Sequence, residues 1–210
     1  MSMLPIQLEV AGRLIVVIGG GRVAAHKVDI LCQAGARVRV VSPKFDPGLL
    51  ARTDIQRLAC RYSAELLGDA CLIFVCTDDR SLNARVLADA RQRRILCNVV
   101  DDPGLCDFFM PAIVRRGRFC IAVGTGGASP LLAARVRDRL ASQFGPELGI
   151  LVDELARARL IVQDRVADPR VRRQVLEALS NDESLERLAR DGRQAWRDWF
   201  DGILDHHPRR

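Results

Sequence analysis

A run of three glycines between an apolar strand and a helical pattern is the feature that most restricts how this chain folds. Residues 14–18 (LIVVI) are continuously apolar and mostly β-branched, which predicts a strand buried on both faces. The glycines lead into a helical pattern over residues 23–34, Gly35 ends that helix, and residues 37–41 (RVRVV) begin a second strand. This succession is a βαβ unit, so the two strands are expected to lie parallel.

Two more buried-strand runs continue the same arrangement. Residues 72–75 (LIFV) form the first run, and the second covers residues 95–100. Between them, apolar residues at helical spacing predict a helix. Fully apolar strands that alternate with helices are typical of a doubly wound parallel sheet, so the predicted fold class is α/β.

The pattern changes after the last of these strands. Residues 119–123 predict one further strand, and residues 131–140 predict a helix that Ser129 is placed to cap. Beyond that helix only helical spacing appears, with breaks near residues 168–169 and 180–181. A small all-helical region is therefore expected at the end of the chain.

The glycine turn also indicates a ligand. Gly19, Gly21 and Ala24 fit the pattern G-x-G-x-x-A, which permits a tight turn, close approach of a pyrophosphate and tight helix packing. A turn with a purely structural role is the alternative. Where the second strand ends, Lys44 lies in a segment without the acidic residue that would bind a ribose 2′-hydroxyl. The residues alone therefore leave NAD and NADP open.

Two carboxylates, Asp101 and Asp102, follow the strand at residues 95–100. Ligands of open α/β sheets bind at the carboxyl ends of the strands. A carboxylate that faces a half-buried pocket there can serve as a general base. The alternative is that either aspartate only initiates a turn before Pro103.

The net charge of +6 is concentrated in one segment. Residues 113–140 carry six arginines and one aspartate, which indicates an anionic partner. The glycine-rich turn at 125–130 adds backbone N–H groups beside those arginines. For Arg137 and Arg139 a solvated helix face is the alternative. Aromatic residues make up only 5% of the chain, so platforms for stacking bases are scarce and no nucleic-acid partner is expected.

Composition disfavours several other classes of protein. No apolar run approaches the ~18 residues of a membrane-spanning helix, and the first ten residues lack the basic start and long apolar core of a signal peptide. The seven cysteines are an odd number without a CxxC pair, as expected of reduced thiols in the cytoplasm. No His, Cys and carboxylate cluster has zinc-like spacing, so no resident metal is expected.

Six motifs, taken together, resemble one family. In chain order they are VIGGGRVAAHK at 17–27, TDD at 77–79, NVVDDP at 98–103, CDF at 106–108, PA at 111–112 and TGGASP at 125–130. This combination resembles the precorrin-2 dehydrogenase / sirohydrochlorin ferrochelatase family, whose members occur alone or as the N-terminal part of sirohaem synthase. The resemblance is strongest over residues 3–145. Two positions depart from the family pattern: His26 stands where arginine is usual, and Gly124 removes a frequent serine hydroxyl.

The resemblance implies an oxidoreductase of sirohaem, and hence porphyrin, biosynthesis that oxidises precorrin-2 to sirohydrochlorin with NAD⁺. Some members are also lyases that insert Fe²⁺ to give sirohaem. It implies an NAD-binding Rossmann domain at 1–112, a dimerisation segment at 113–149 and a helical domain at 150–210. The chain stops where sirohaem synthase continues into a methyltransferase, so a standalone, cytoplasmic homodimer is expected. The polycarboxylate precorrin-2 would be the anionic partner of the arginine-rich segment.

The resemblance also implies roles for individual residues, with Asp101 as the catalytic aspartate. Expected NAD-binding residues lie in the glycine turn and after the next strands: Gly19, Gly20, Gly21, Arg22, Val23, Ala24, Pro43, Lys44, Thr77 and Asp78. Expected substrate-binding residues lie in the second half of the arginine-rich segment: Thr125, Gly126, Gly127, Ser129 and Arg135. A non-catalytic nucleotide-sensing Rossmann module is the alternative, although it gives no reason for the motifs at 98–130. Whether the chain inserts iron stays open.

Overall fold

The computed structural model describes residues 3–206 of the 210-residue chain. The chain divides into two compact units, Met1–Met110 and Pro111–Arg210. The finer division into parts at 1–112, 113–149 and 150–210 stays a prediction. None of the described helices is both long and apolar enough to cross a membrane.

The first unit is built on a five-stranded parallel sheet in the order β3-β2-β1-β4-β5. The strands are β1 Leu14–Ile18, β2 Arg37–Val41, β3 Gln56–Leu58, β4 Leu72–Val75 and β5 Leu96–Val99. Its helices are α1 Arg22–Gln33, α2 Pro47–Leu50 and α3 Arg80–Gln92, with short 3₁₀ turns at Ala64–Leu67 and Pro103–Leu105. The predicted doubly wound parallel sheet is confirmed.

Both faces of this sheet are buried, which explains the continuous apolar runs. Along β1, Val16 and Ile18 join the cluster that includes α3, whereas Ile15 and Val17 join the cluster that includes α1. All five residues of β1 are buried. Successive side chains of a strand point to opposite faces, so a strand covered on both sides needs an apolar residue at every position.

The register of the sheet brings the ends of four strands to one level. Ile18 pairs with Val41 on one side and with Val75 on the other, and Val75 pairs with Val99. The chain therefore leaves β1, β2, β4 and β5 at the same edge. In an open parallel sheet this carboxyl edge is where ligands bind.

The helix α1 ends as the sequence predicts. Gly35 has φ 77°, its N–H donates to the Cys32 carbonyl, and the N–H of Ala36 donates to the Leu31 carbonyl. These two bonds form a Schellman motif, which needs a residue in the left-handed region just past the helix. The turn sends the chain directly into β2.

The second unit combines a two-stranded antiparallel sheet with four helices. The strands are β6 Ala112–Arg116 and β7 Phe119–Val123, and the helices are α4 Pro130–Gln143, α5 Glu147–Arg165, α6 Pro169–Leu179 and α7 Asp182–Asp205. Gly192, with φ 83°, interrupts α7. The strand predicted at 119–123 pairs antiparallel with β6, a strand that the sequence pattern did not predict, and the two form a sheet of their own.

The helices of the second unit pack around an apolar core centred on Trp196, which is only 1% exposed. The indole Nε1 donates to the Ser184 hydroxyl at 2.7 Å, so the one polar atom of this ring is satisfied inside the core. Asp168 and Asn181 cap α6 and α7 through their side chains. Both caps lie at the predicted helix breaks, and the predicted helical region is confirmed.

Candidate functional site

The first residue after β1 adopts a conformation that favours glycine. Gly19 has φ 114°, and its N–H donates to the Val41 carbonyl at 2.9 Å. A Cβ atom at this position would lie 2.2 Å from the carbonyl oxygen of Cys76. The backbone after β1 therefore passes in direct contact with the backbone after β4, and a side chain would separate them.

The second glycine makes room for the segment that follows β2. A Cβ atom on Gly20 would lie 2.1 Å from the Lys44 carbonyl oxygen. The N–H of Asp46 donates to the Gly20 carbonyl at 2.7 Å, and the Ser42 hydroxyl donates to the Lys44 carbonyl at 2.6 Å. Pro43 and Lys44 are exposed. The structure thus places both residues beside the glycine turn.

The third glycine leaves the N-terminus of α1 open. Gly21 is the N-cap residue of α1, and among the described residues no side chain caps this helix. A Cβ atom on Gly21 would have none of the described atoms around it within 4 Å. Arg22 and Val23 are exposed, whereas Ala24 is buried against the sheet. Uncapped N–H groups at a helix N-terminus, reached over a residue without a side chain, fit a phosphate group.

Thr77 and Asp79, which follow β4, form hydrogen bonds with residues at the start of α3. The Thr77 hydroxyl lies 2.5 Å from Asn83 Oδ1, and Asn83 Nδ2 donates to the Thr77 carbonyl at 3.0 Å. The Asp79 carboxylate caps α3 by accepting from the N–H groups of Ser81 and Leu82. Asp78 is exposed. Of the two predicted NAD-binding residues in this segment, Thr77 thus bonds to Asn83 of α3, whereas Asp78 is exposed.

Asp101 lies at the same edge of the sheet, two residues after β5. It is exposed and has φ 63°, a left-handed conformation that non-glycine residues seldom adopt. Burial raises the pKa of the Cys76 thiol to about 12, with the charge of Asp101 adding to the rise and that of Lys27 opposing it. Asp101 therefore lies within electrostatic range of the residue that contacts the glycine turn.

The side chain of Asp102 does not cap the short 3₁₀ turn that follows it, and only its carbonyl accepts a turn bond, from the N–H of Leu105. An Asx turn through the Asp102 side chain, one form of the predicted alternative, is thus not present. The carboxylates of both aspartates are exposed at the edge of the sheet.

The loop that carries Asp101 is bonded to β5 by residues for which no individual role was predicted. Asn98 Nδ2 donates to the Phe108 carbonyl at 2.8 Å. Asp107 bonds Cys97 twice, through its N–H at 2.8 Å and its carboxylate at 2.9 Å. Phe108 packs edge-on against Phe74, with ring centres 5.3 Å apart. Asn98, Asp107 and Phe108 lie in the motifs at 98–103 and 106–108, so these motifs were the sequence signal that could have identified them.

The predicted substrate-binding residues all lie in the second unit. The Thr125 hydroxyl accepts from the N–H of Ser129 at 3.1 Å, and the Ser129 hydroxyl accepts from the N–H of Leu132 at 3.2 Å. Ser129 is therefore the N-cap of α4, as predicted. Gly126 and Gly127 have φ 61° and 84°, so glycine is favoured at both positions of this turn.

The arginines of α4 differ in their surroundings. Arg135 is exposed, whereas Arg137 donates to Asp138 at 2.6 Å, which agrees with a solvated face for that residue. Within residues 3–206, no three His, Cys, Asp or Glu side chains are grouped so that they could hold a metal ion. The candidate residues therefore form two sets, one around the glycine turn in the first unit and one around the turn before α4 in the second.

Two family models match the chain. Residues 6–112 match a family described as putative NAD(P)-binding, and residues 116–143 match the model described as sirohaem biosynthesis protein central. The first match covers the glycine turn, the sheet and Asp101. The second covers the strand β7, the turn at 125–130 and α4.

The chain is similar to curated sirohaem synthases. It is 38% identical to that of Nitrosospira multiformis over 213 residues, which is 98% of this chain and 45% of that protein. It is 39% identical to that of Methylobacillus flagellatus over 176 residues, which is 82% of this chain and 38% of that protein. The chain thus spans less than half the length of these relatives.

Among solved structures, the fold matches one named SirC, precorrin-2 dehydrogenase. The two share 24% sequence identity at a TM-score of 0.77, with coverage of 97% of this chain and 100% of that one. At this identity the likeness establishes the common fold of both units.

Proposed function

This chain belongs to the putative NAD(P)-binding family, and from that premise we propose that it oxidises precorrin-2 to sirohydrochlorin with NAD⁺ in sirohaem biosynthesis. The observation that carries the proposal is the position of Asp101. Its exposed carboxylate follows β5 at the edge that holds the glycine turn, within electrostatic range of Cys76. The similarity to sirohaem synthases supports the choice of substrate.

The glycine turn is the proposed NAD⁺ site. The open space over Gly21 and the uncapped start of α1 fit a pyrophosphate, with Pro43, Lys44 and Asp78 exposed around it. When bound, NAD⁺ supplies a hydride acceptor. Among the residues that follow β2, Ser42 to Phe45 include no acidic side chain, so discrimination against NADP⁺ by a carboxylate at that point is not expected.

Asp101 is the proposed proton acceptor. The oxidation removes two hydrogens from precorrin-2: one leaves as a hydride and the other as a proton. A solvent-exposed carboxylate at the edge of the sheet can take that proton and release it to water, which is the work of a general base. Backbone bonds lie on both sides of Asp101: the N–H of Val100 donates to the Val75 carbonyl of β4, and the N–H of Asp102 donates to the Val99 carbonyl of β5.

The second unit is proposed to bind the carboxylates of the substrate. Gly126 and Gly127 carry no side chains at the two central positions of the turn before α4, and Arg135 is exposed on that helix. Thr125 and Ser129 hold the turn in shape. A polycarboxylate macrocycle accounts for the concentration of arginine in residues 113–140.

We also propose that the protein forms a homodimer. Leu131 is 85% exposed and Leu132 is 52% exposed, side by side on α4. Large apolar side chains at adjacent positions of one helix favour burial against another protein surface. Sedimentation velocity of the chain and of its Leu131→Glu variant tests this: the wild type is expected to sediment as a dimer and the variant as a monomer. We place the protein in the cytoplasm, where its seven cysteines stay reduced.

The test of function is anaerobic incubation with precorrin-2 and either NAD⁺ or NADP⁺, followed by absorption spectroscopy. An NAD⁺-dependent sirohydrochlorin spectrum is the expected result. Adding Fe²⁺ afterwards tests iron insertion, which would shift the spectrum faster than in a control without protein. No spectral change with a folded protein that binds NAD⁺ would refute the dehydrogenase and favour a nucleotide-sensing module.

A further inference from the structure

We propose that Cys106 is a positioning residue that holds Asp101 in its left-handed conformation. The thiol joins the end of β5 to the residue after Asp101, so it closes the short loop on which that aspartate lies. The role assigned to Asp101 rests on the proposed function, whereas the contacts of the thiol do not.

Four polar groups surround the sulfur of Cys106. The N–H of Val99 and the Nδ2 of Asn98 donate to Sγ at 3.3 Å and 3.4 Å. On its other side Sγ lies 3.1 Å from the Val99 carbonyl and 3.3 Å from the Asp102 carbonyl, either of which can accept its proton. The atoms bonded by the thiol therefore belong to residues on both sides of Asp101.

The backbone of this loop needs such support. A non-glycine residue at φ 63° lies in the sparsely populated left-handed region, and this conformation persists only where the surrounding contacts determine it. The backbone bond that spans the loop, from the N–H of Asp102 to the Val99 carbonyl, is long at 3.4 Å. The other bonds between this loop and β5 join Cys97 to Asp107 and Asn98 to Phe108, six and seven residues beyond Asp101, so the thiol strengthens the link nearest to Asp101.

The chemistry of the thiol suits this task. Burial raises the pKa of Cys106, so the group keeps its proton, and therefore its donor capacity, at neutral pH. Sulfur is large enough to lie within 3.1–3.4 Å of all four partners at once. The smaller hydroxyl of a serine on a shorter bond would keep some of these contacts and lose others.

Cys97 provides a matched control. It lies in β5, is fully buried, and within the described part of the chain only its backbone, not its thiol, takes part in the bonds to Asp107. Cys97→Ala therefore removes a buried thiol from the same region without touching the contacts of Cys106. Any effect of Cys106→Ala beyond that of Cys97→Ala belongs to those contacts.

The experiment compares the wild type with Cys106→Ala, Cys106→Ser and Cys97→Ala. We expect Cys106→Ala to lower kcat for precorrin-2 oxidation by about 10- to 100-fold, the range that misplacing a reacting group produces. Its KM and its Kd for NAD⁺ should stay within about twofold, because the glycine turn is unchanged. Cys106→Ser should recover part of kcat, and Cys97→Ala should retain it.

Amide hydrogen exchange provides a readout that does not depend on activity. We expect faster exchange over residues 99–106 in Cys106→Ala than in Cys97→Ala or the wild type. If exchange there is the same in both alanine variants, or if kcat falls equally in both, Cys106 is not a positioning residue. A wild type that leaves precorrin-2 unchanged would refute the proposed function, while the exchange comparison would still decide the role of the thiol.

Discussion

The two units of this chain stabilise charged and polar groups in opposite ways. In the first unit the interior of the sheet is apolar, and the polar groups of interest lie at one edge, where backbone contacts around Gly19 and Gly20 set the geometry. In the second unit a carboxylate, Glu154, is buried to 2% exposure beside the apolar core. The first unit shapes a binding edge with its backbone, and the second holds its helices together partly through side-chain charge.

The buried carboxylate of Glu154 is matched by arginines of α7. Arg197 donates to its two oxygens through Nε and Nη2, each at 2.8 Å, and Arg193 lies 3.7 Å away. The hydrogen bonds from Arg197 hold the pKa of Glu154 below its ordinary value, against the opposing effect of burial. A buried ion pair of this kind is costly to break by removing one partner, even where forming it adds little net stability.

The largest effect is expected at the edge of the first unit. Asp101→Ala should lower turnover of precorrin-2 by about 100- to 10,000-fold, the usual contribution of a general base, and leave NAD⁺ affinity unchanged. The matched control is Asp69→Ala, which removes an exposed aspartate just before β4, at the opposite edge of the sheet. Steady-state kinetics and calorimetric NAD⁺ titration measure both quantities. Wild-type turnover in Asp101→Ala would remove this residue from the mechanism.

The next largest effect is expected in the second unit, on stability alone. Arg197→Met leaves Glu154 buried without its two close hydrogen bonds, and should lower the free energy of unfolding by about 3 kcal/mol. Glu154→Gln should cost less, because the remaining Arg197 is 37% exposed and can reach water. Both tryptophans of the chain lie on α7, so fluorescence-detected urea unfolding reports on this unit.

The control for that experiment is Arg190→Met, which breaks an exposed pair with Asp191 on the same helix. Exposed pairs contribute about 0–1 kcal/mol, so little change is expected. Equal losses of unfolding free energy in Arg190→Met and Arg197→Met would show that burial of the Glu154 carboxylate does not make its ion pair contribute more to stability than the exposed pair.

A smaller effect separates two neighbouring glycines of the first unit. Gly20→Ala forces a Cβ atom against the Lys44 carbonyl and should destabilise the unit by roughly 1–3 kcal/mol. Gly21→Ala meets no protein atom within 4 Å among the described residues, so stability should fall by no more than about 1 kcal/mol, the preference of an N-cap for glycine over alanine. It should nevertheless weaken NAD⁺ binding, because the methyl group occupies the approach to α1. Scanning calorimetry with and without NAD⁺ separates the two effects; unchanged affinity in Gly21→Ala would argue against the turn as the pyrophosphate site.

The smallest effect is a difference in pH dependence between the wild type and Glu154→Gln. Because the pKa of Glu154 is lower in the folded protein than in the unfolded chain, its contribution is fully present above the ordinary pKa of 4.5. That contribution is lost as the pH falls through the lower folded value. Urea unfolding from pH 6 down to pH 3 should therefore show a steeper loss of stability in the wild type than in Glu154→Gln. Parallel curves of unfolding free energy against pH would contradict a lowered pKa of Glu154 in the folded protein.

Much of the first unit was predictable because its signals are local. The bounds of β1, β2 and β4 agree with the predicted runs, since strands buried on both faces must be apolar at every position. The edge strand β3 (QRL) was not predicted, because only one neighbour and little burial constrain its side chains. The strand β6 was also missed, since its three apolar residues form only a short run that ends in two arginines.

The sequence by itself determined where glycine, aspartate and the cap residues stand, and hence the turns, the helix ends and the edge at which Asp101 lies. Only the tertiary structure decided that Cys106 contacts both sides of Asp101 and that Glu154 is buried against Arg197. The reason is distance along the chain. A turn or a cap depends on residues within a few positions of one another, whereas the burial of a thiol or a carboxylate depends on which elements pack over it, and Glu154 and Arg197 lie 43 residues apart.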